Sequence, residues 1–313
     1  MNIILANPRG FCAGVDRAIE ITNRALEMFG APIYVKHQIV HNKYVVDELR
    51  EKGVVFIEDI DTVPEHSILI YSAHGVSEEI INQSNEKNLQ VFNATCPLVT
   101  KVHMEVARLS KKNINTILIG HRGHPEVEGT IGRYITESDS KIVLIEDEKD
   151  VEGLNFDQTK DVAYVTQTTL SIDDTANIIQ AIKKKYKNVI EPARGDICYA
   201  TTNRQGAVKE LTKKCDIIFV VGSENSSNSN RLKEISTRAG VPSYLLDSAN
   251  DLDVSWLKNK KNIGLTAGAS APEVLVQSII NKLKSCGAMN VINSDGVEEN
   301  ITFKIPKELI IKN

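Results

Sequence analysis

Five cysteines in 313 residues, none close to another in sequence, pose the first chemical question: Cys12, Cys96, Cys198, Cys215 and Cys286. An odd, widely scattered set argues against a disulfide framework. There is no C-x-x-C pair of the kind structural zinc uses, nor the closely spaced cysteine triplet of radical iron–sulfur enzymes. Three thiolates on one centre suit a soft metal. A cubane [4Fe-4S] cluster accepts ligands from distant segments. With three protein ligands, one iron keeps a position for substrate and can act as a Lewis acid. Cys215 opens an apolar strand and Cys286 closes an amphipathic helix, so both read as small buried hydrophobes. Cys12, Cys96 and Cys198 differ in sitting in loops.

A polar ring accompanies the thiols. Asn225-Ser226-Ser227-Asn228-Ser229 lies between an apolar strand and a helix start, where hydroxyls, amides and backbone N–H groups make an anion site. Plain N-capping needs only one such residue. His41, His74 and His124 add donors, and positive charge when protonated. Glu126 follows His124-Pro125. Near a cluster and an anion its carboxyl would titrate high enough to donate a proton near neutral pH; equally, a first-turn glutamate simply favours the helix dipole. Thr168 comes from an adjacent loop and could orient it.

The elements that must position these residues repeat three times. Short β-branched runs alternate with helices, the pattern of parallel α/β units. In the first copy Ile33-Tyr34-Val35, 54–57, 68–71 and Gln90-Val91-Phe92 read as strands, and the last leads to Cys96. In the second, 117–119, 142–145, 162–165 and 188–190 are followed by Cys198. In the third, 217–221, 243–246 and 263–265 lack a fourth strand, which Ile3-Ile4-Leu5-Ala6, leading to Cys12, supplies from the other end of the chain. Ligands bind beyond the carboxyl ends of such strands. Aligned by position, one loop carries His41, His124 or Ser226 to Asn228; a second carries His74, Thr168 or Ser270; the third carries a cysteine every time.

The expected fold is therefore α/β: three αβα domains with small, mainly parallel sheets in a pseudo-threefold arrangement around a central cluster. Their expected limits are 14–96, 97–194, and 1–13 with 195–286, followed by a C-terminal extension over 287–313.

Composition narrows the function. The hydrophobic share is 42%, the charged share 25% and the net charge −4, without the clustered basic face of a nucleic-acid binder. No apolar run reaches the roughly 18 residues a membrane span needs, and the amino-terminal segment lacks a signal peptide's basic region and longer apolar core. A cytoplasmic protein with reduced thiols is expected. Neither G-x-x-x-x-G-K-[ST] nor G-x-G-x-x-G occurs, so nucleotide hydrolysis and dinucleotide binding are disfavoured. The anion reads as a compact phosphate or diphosphate.

Taken together, Asn7-Pro8-Arg9-Gly10-Phe11-Cys12-Ala13-Gly14, Val40-His41-Asn42, Ser72-Ala73-His74-Gly75-Val76-Ser77, Ala94-Thr95-Cys96-Pro97, Gly123-His124-Pro125-Glu126, Gln167-Thr168-Thr169-Leu170-Ser171, Cys198-Tyr199-Ala200-Thr201-Thr202-Asn203-Arg204-Gln205, Asn225 to Asn228 and Thr266 to Pro272 resemble the 4-hydroxy-3-methylbut-2-enyl diphosphate reductases of the non-mevalonate isoprenoid pathway. The resemblance runs from residue 1 to about residue 308. Arg122, in a slot often filled by a small residue, is the one oddity. The resemblance implies a [4Fe-4S] cluster ligated by Cys12, Cys96 and Cys198, with an open iron site. It also implies a diphosphate held by His41, His74, His124, Ser226, Ser227, Asn228 and Ser270. Glu126 would deliver protons with Thr168 beside it. The implied reaction is two-electron reductive dehydroxylation of the allylic diphosphate to isopentenyl and dimethylallyl diphosphate, with a transient ferredoxin or flavodoxin as donor. A hydro-lyase, which needs no electrons, is the nearest rival enzyme; an iron–sulfur sensor is the rival binding protein, though it would not need the anion ring.

Overall fold

In the computed structural model the described residues are 1–310, so the end of the expected 287–313 extension, residues 311–313, lies outside them. Among the described residues the strands are β1 (Asn2–Leu5), β2 (Ile33–Lys36), β3 (Val54–Ile57), β4 (Ile68–Tyr71), β5 (Gln90–Asn93), β6 (Asn115–Ile119), β7 (Ile142–Ile145), β8 (Val162–Thr166), β9 (Val189–Ile190), β10 (Ile217–Val221), β11 (Ser243–Leu246), β12 (Asn262–Ala267) and β13 (Asn290–Asn293). They form three parallel sheets in the orders β3-β2-β4-β5, β7-β6-β8-β9 and β11-β10-β12-β1-β13. The repeat read in the sequence is thus a repeat of topology. In each sheet the copy's second strand lies outermost, followed by its first, third and fourth.

The chain divides into two compact units, one of Met1–Asp16, Val40–Leu49 and Tyr199–Thr302, the other of Arg17–Ile39, Arg50–Cys198 and Phe303–Asn313. The first unit holds the five-stranded sheet. Strand β1 takes the fourth place there, with Ile3 opposite Ile263 and Leu5 opposite Leu265. Strand β13 then adds a fifth, pairing Asn2 with Asn290 and Leu5 with Asn293. The sequence reading left this segment as an extension. All four of its residues are exposed, so no alternation of apolar and polar positions marks it. It is held by the ladder and by Ser294, whose N–H and hydroxyl both donate to Leu5 O, at 2.9 and 2.7 Å.

The central strands read as unbroken apolar runs because both faces are covered. Every residue of β10 is buried. Ile217, Phe219 and Val221 enter one core with Ile3, Ile263 and the helix Glu273–Ser285, while Ile218 and Val220 enter another with Val208, Leu211 and Leu232. Side chains of a strand alternate between faces, so one five-residue run serves two cores. In the second unit β8 does the same: Val162 and Tyr164 face one cluster, Ala163 and Val165 the other. The strands are pinned by burial on both sides, and the loops at their carboxyl ends inherit that fixity. Among the described residues no helix is long and apolar enough to cross a membrane.

Because Ile3 is fully buried, Ile3→Ala should cost about 2–5 kcal/mol. Trp256, the chain's single tryptophan, packs on the same core and stacks on Tyr244 at 3.8 Å. Urea unfolding followed by its fluorescence should therefore show an earlier midpoint at unchanged slope; a parental midpoint would mean that β1 contributes nothing to the sheet.

Candidate functional site

Each of the three loop cysteines is anchored in the same way. Cys12 N–H donates to Ala269 O at 3.2 Å, Cys96 N–H to Ala73 O at 3.0 Å and Cys198 N–H to Thr168 O at 3.0 Å. Each acceptor is the second residue after the last of its copy's third strand, β12, β4 or β8. A backbone N–H leaving a sheet has no ladder partner and must find an acceptor. Here the neighbouring strand end supplies it, so the thiol's position is set by the sheet. None of the three cysteines forms a disulfide, and all three are half-buried. Burial pushes the Cys12 thiol up, against the nearby Arg204 guanidinium and the N–H groups of Val15 and Gly14. By contrast Cys215 is buried beside Gly264 with its thiol pushed up to about 12, the state of an inert core residue.

Thiols outside any disulfide, in loops of matching geometry, fit a thiolate-held cluster. Cys12 stands in the first unit, Cys96 and Cys198 in the second. Among the described residues no group of three or more His, Cys, Asp and Glu side chains stands ready-made as a ligand set.

The first unit gathers five of the expected anion-binding residues. Ser270 Oγ donates to His41 O at 2.9 Å and lies 3.4 Å from Ser226 Oγ. Asn225 Nδ2 is 3.5 Å from His41 Nδ1. Asn228 donates to Ser226 Oγ at 2.9 Å, and its amide oxygen accepts Ala269 N–H at 2.7 Å. Ser226 is the N-cap of the helix Ser227–Arg238, where unpaired N–H groups and the dipole favour anions. Ser227 opens that helix. His41, His124 and Ser226 are each the fifth residue after their strand, as the repeat implied.

The second unit brings together the acid and its supports. Glu126 lies in the first turn of the helix Pro125–Ile131 and is 3% exposed. Thr168 N–H donates to its Oε1 at 2.6 Å and Thr168 Oγ1 to its Oε2 at 3.0 Å. Desolvation outweighs these bonds and pushes the Glu126 carboxyl up to about 7, with Asp196 adding to the rise. A first-turn glutamate serving only the helix dipole is ordinarily exposed and ionised, whereas Glu126 is buried. His124 caps the same helix by accepting Glu126 N–H on Nδ1 at 3.1 Å. In the neutral ring that leaves the proton on Nε2 as a donor. The His124 ring meets His74 edge-on at 5.6 Å, and His74 Nδ1 lies 3.3 Å from Ser72 Oγ.

The sequence alignment of the second loop shifts by one residue. Thr168 corresponds to Ala73 and Ala269, and Thr169 to His74 and Ser270, because the bond to the cysteine N–H sets the register. That gives Thr168 a double duty, its carbonyl holding Cys198 while its N–H and hydroxyl hold Glu126. Arg122, the odd residue, is 76% exposed and 3.7 Å from Glu146, away from these contacts.

Several supports were missed from sequence. Gln167 accepts His121 N–H at 3.0 Å and donates to Thr169 at 2.9 Å, tying two loops. Gly75 has φ +77°, and a Cβ there would meet His103 Cε1 at 2.5 Å, so the His74 loop needs glycine for both conformation and space. Arg204 is 1% exposed, donates to Gly10 O and Phe11 O, and pairs with Glu299 at 3.0 Å. Asn203 also donates to Glu299, at 2.9 Å. Thus Glu299, beyond the last apolar helix and without a sequence signal, neutralises the cation that holds the Cys12 loop.

Comparison with known proteins bears on this geometry. The family described as LytB protein matches residues 3–284. The 4-hydroxy-3-methylbut-2-enyl diphosphate reductase of Actinobacillus succinogenes is 58% identical over 311 residues, covering 99% of this chain and 99% of that protein. That of Pseudomonas entomophila is 57% identical over 313 residues, covering 100% and 99%. The solved E-1-hydroxy-2-methyl-but-2-enyl-4-diphosphate reductase of Plasmodium falciparum superposes with a TM-score of 0.94 at 45% identity, over 99% of this chain and 96% of that one.

Glu299→Ala should leave the Arg204 charge buried and uncompensated, a loss of about 3–5 kcal/mol. In metal-free protein, Cys12 should then be alkylated faster than in the parent while Cys96 keeps its rate, as read by mass spectrometry. Equal Cys12 rates would remove Glu299 from the support of that loop.

Proposed function

The chain belongs to the LytB protein family, and on that basis we propose that it catalyses the final step of isoprenoid diphosphate formation by the non-mevalonate route. As a reductase it would take 4-hydroxy-3-methylbut-2-enyl diphosphate, two electrons and two protons to isopentenyl or dimethylallyl diphosphate and water. It would do so in the cytoplasm with a ferredoxin or flavodoxin as donor. Cys12, Cys96 and Cys198, one from each copy of the repeat, would hold a [4Fe-4S] cluster. When bound, the cluster supplies electrons one at a time and a Lewis-acid iron for the substrate hydroxyl.

The chain's own residues do the rest. His41, His74, His124, Ser226, Ser227, Asn228 and Ser270 would hold the diphosphate. Binding the anion is favoured by the helix start at Ser226 and by donors already oriented through their own hydrogen bonds. Glu126 gives its proton to the departing hydroxyl oxygen, which leaves as water. Thr168 holds the carboxyl in place, and burial keeps part of it protonated at neutral pH.

The observation that carries this reading is the buried Glu126 carboxyl bonded twice to Thr168, the same residue whose carbonyl anchors Cys198. A proton source titrating at about 7 is thereby fixed one residue contact from a ligand loop. Neither a hydro-lyase nor a sensor needs an acid, an anion grip and an electron supply at once.

The deciding experiment is anaerobic purification with iron and sulfide analysis, then turnover of the diphosphate alcohol with and without dithionite. Product that forms only with reductant supports the reductase; reductant-independent dehydration would point to the hydro-lyase. Glu126→Gln should retain cluster and substrate affinity but lose roughly two to four orders of magnitude in turnover. Because the acid must be protonated to act, activity should fall as pH rises through about 7; a profile flat from about pH 6 to about pH 9 would exclude Glu126 as donor. Cys96→Ser should lose the brown cluster absorbance and bound iron, and a fully loaded variant would dismiss Cys96 as a ligand.

A further inference from the structure

We propose that the cleft beside the Cys96 loop, within the second unit, is the docking surface for a small acidic electron-carrier protein. This rests on the reductase reading, in which each turnover consumes two electrons, two protons and one substrate and yields one product and one water. A one-electron carrier must then dock twice per turnover, oxidised once each time, and release quickly.

The cleft encloses about 800 Å³. Thr95 and Pro97, the two sequence neighbours of Cys96, line it together with Arg17, Lys101, Met104 and Arg108. A carrier seated there lies directly against the peptide segment that bears the thiol. At its floor the Arg17 guanidinium donates to Lys304 O at 2.8 Å, Thr95 O at 3.1 Å and Asn93 O at 3.2 Å. All three acceptors are backbone carbonyls, and the one carboxylate lining the cleft, Glu105, is paired with Arg108 and not with Arg17.

The helix Pro97–Lys111 forms one wall. Lys101, Met104, Arg108 and Lys111 recur at spacings of three and four, which sets them on one stripe. With Lys112 the stripe holds four basic groups, and Glu105 is the single carboxylate along that helix. Its partner is Arg108, at 3.0 Å from Nε. Lys101 turns to Arg194 O at 2.6 Å and to the buried Asp196 at 3.3 Å. This basic stripe stands out on a chain whose net charge is −4. At its centre Met104 is 69% exposed, an unbranched apolar side chain that adapts to varied partners. A basic rim around a small apolar centre suits a transient electron-transfer encounter, which buries less than about 1,200 Å² and is steered by charge. An acidic surface is the complement; a basic or neutral carrier gains nothing from it.

Two double variants test the surface, Met104→Glu with Arg108→Glu, and Lys111→Glu with Lys112→Glu, beside Lys149→Glu as a control on an exposed position elsewhere. None of these residues takes part in the proposed chemistry. Turnover driven by dithionite should match the parent in all three. With a reduced acidic [2Fe-2S] ferredoxin, KM for the carrier should rise about tenfold or more in both double variants at unchanged kcat. In the parent that KM should rise with ionic strength. Direct binding of oxidised ferredoxin to the immobilised enzyme should weaken in parallel, with Lys149→Glu behaving as the parent. Parental ferredoxin binding and KM in both double variants would overturn the proposal, as would an equal loss of dithionite-driven turnover. Absence of dithionite-driven turnover in the parent would instead strike at the reductase reading, and the binding measurement would still decide the surface.

Discussion

The hydrogen bond from each of the three loop-cysteine N–H groups to a carbonyl just past the neighbouring strand is the constraint that sets where those thiols stand. It recurs at Cys12, Cys96 and Cys198 with the same partner position, although the residues accepting it are alanine, alanine and threonine. Because the acceptor is backbone, the bond is indifferent to side chain, and the second copy was able to place threonine there for a second task. The strands carrying both ends are buried on two faces, so a loop that would otherwise be mobile is fixed by the sheet. Reactive groups held this way need little reorganisation before reaction.

Two kinds of polar group are built on that frame, and they are prepared in opposite ways. The first unit's cluster consists of hydroxyls and amides already bonded to one another. Ser226 Oγ accepts from Asn228 and from Ser229 at 2.9 Å each, so its own proton is left to donate. In the proposed function such a cluster would meet an anion with its polar groups already ordered by one another. Glu126 is prepared by withholding solvent instead. The Thr168 donors favour its ionised form and burial favours the neutral one, and burial prevails without removing the competition. A carboxyl so balanced can release and regain a proton near neutrality. A fully exposed glutamate could not hold one, and one without the threonine could not readily give it up.

The basic stripe beside Cys96 adds an outward-facing counterpart. Arg17 binds the carbonyl of Thr95, so one residue both braces the cysteine loop and lends charge to the surface above it. Arg204 braces the Cys12 loop from within, but there Glu299 neutralises it. Arg204 is thus paired with a carboxylate, whereas the hydrogen bonds of the half-buried Arg17 go to backbone carbonyls.

The sequence alone determined the periodic features. Runs such as Ile217 to Val221 need only local chemistry to be read as buried strands, and three equal series of them, each ending at a cysteine, announced the repeat and even the transfer of the amino-terminal strand to the last sheet. The histidines, Glu126 and the Asn225–Ser229 run were legible because residue type and loop position suffice to suggest donors and acids. Tertiary structure decided what depends on distance through space. Burial of Glu126, and so its protonation, comes from packing around the helix start; the double role of Thr168 is a matter of register across two strands. Gly75 and His103 touch across separate elements, and Glu299 reaches Arg204 from an otherwise unpatterned tail. Strand β13 likewise has no apolar alternation, since its four exposed residues are ordered by the edge of β1 and not by burial. Local pattern carries periodicity and chemical type, whereas desolvation, register and the partner of a buried charge exist only once the chain has folded.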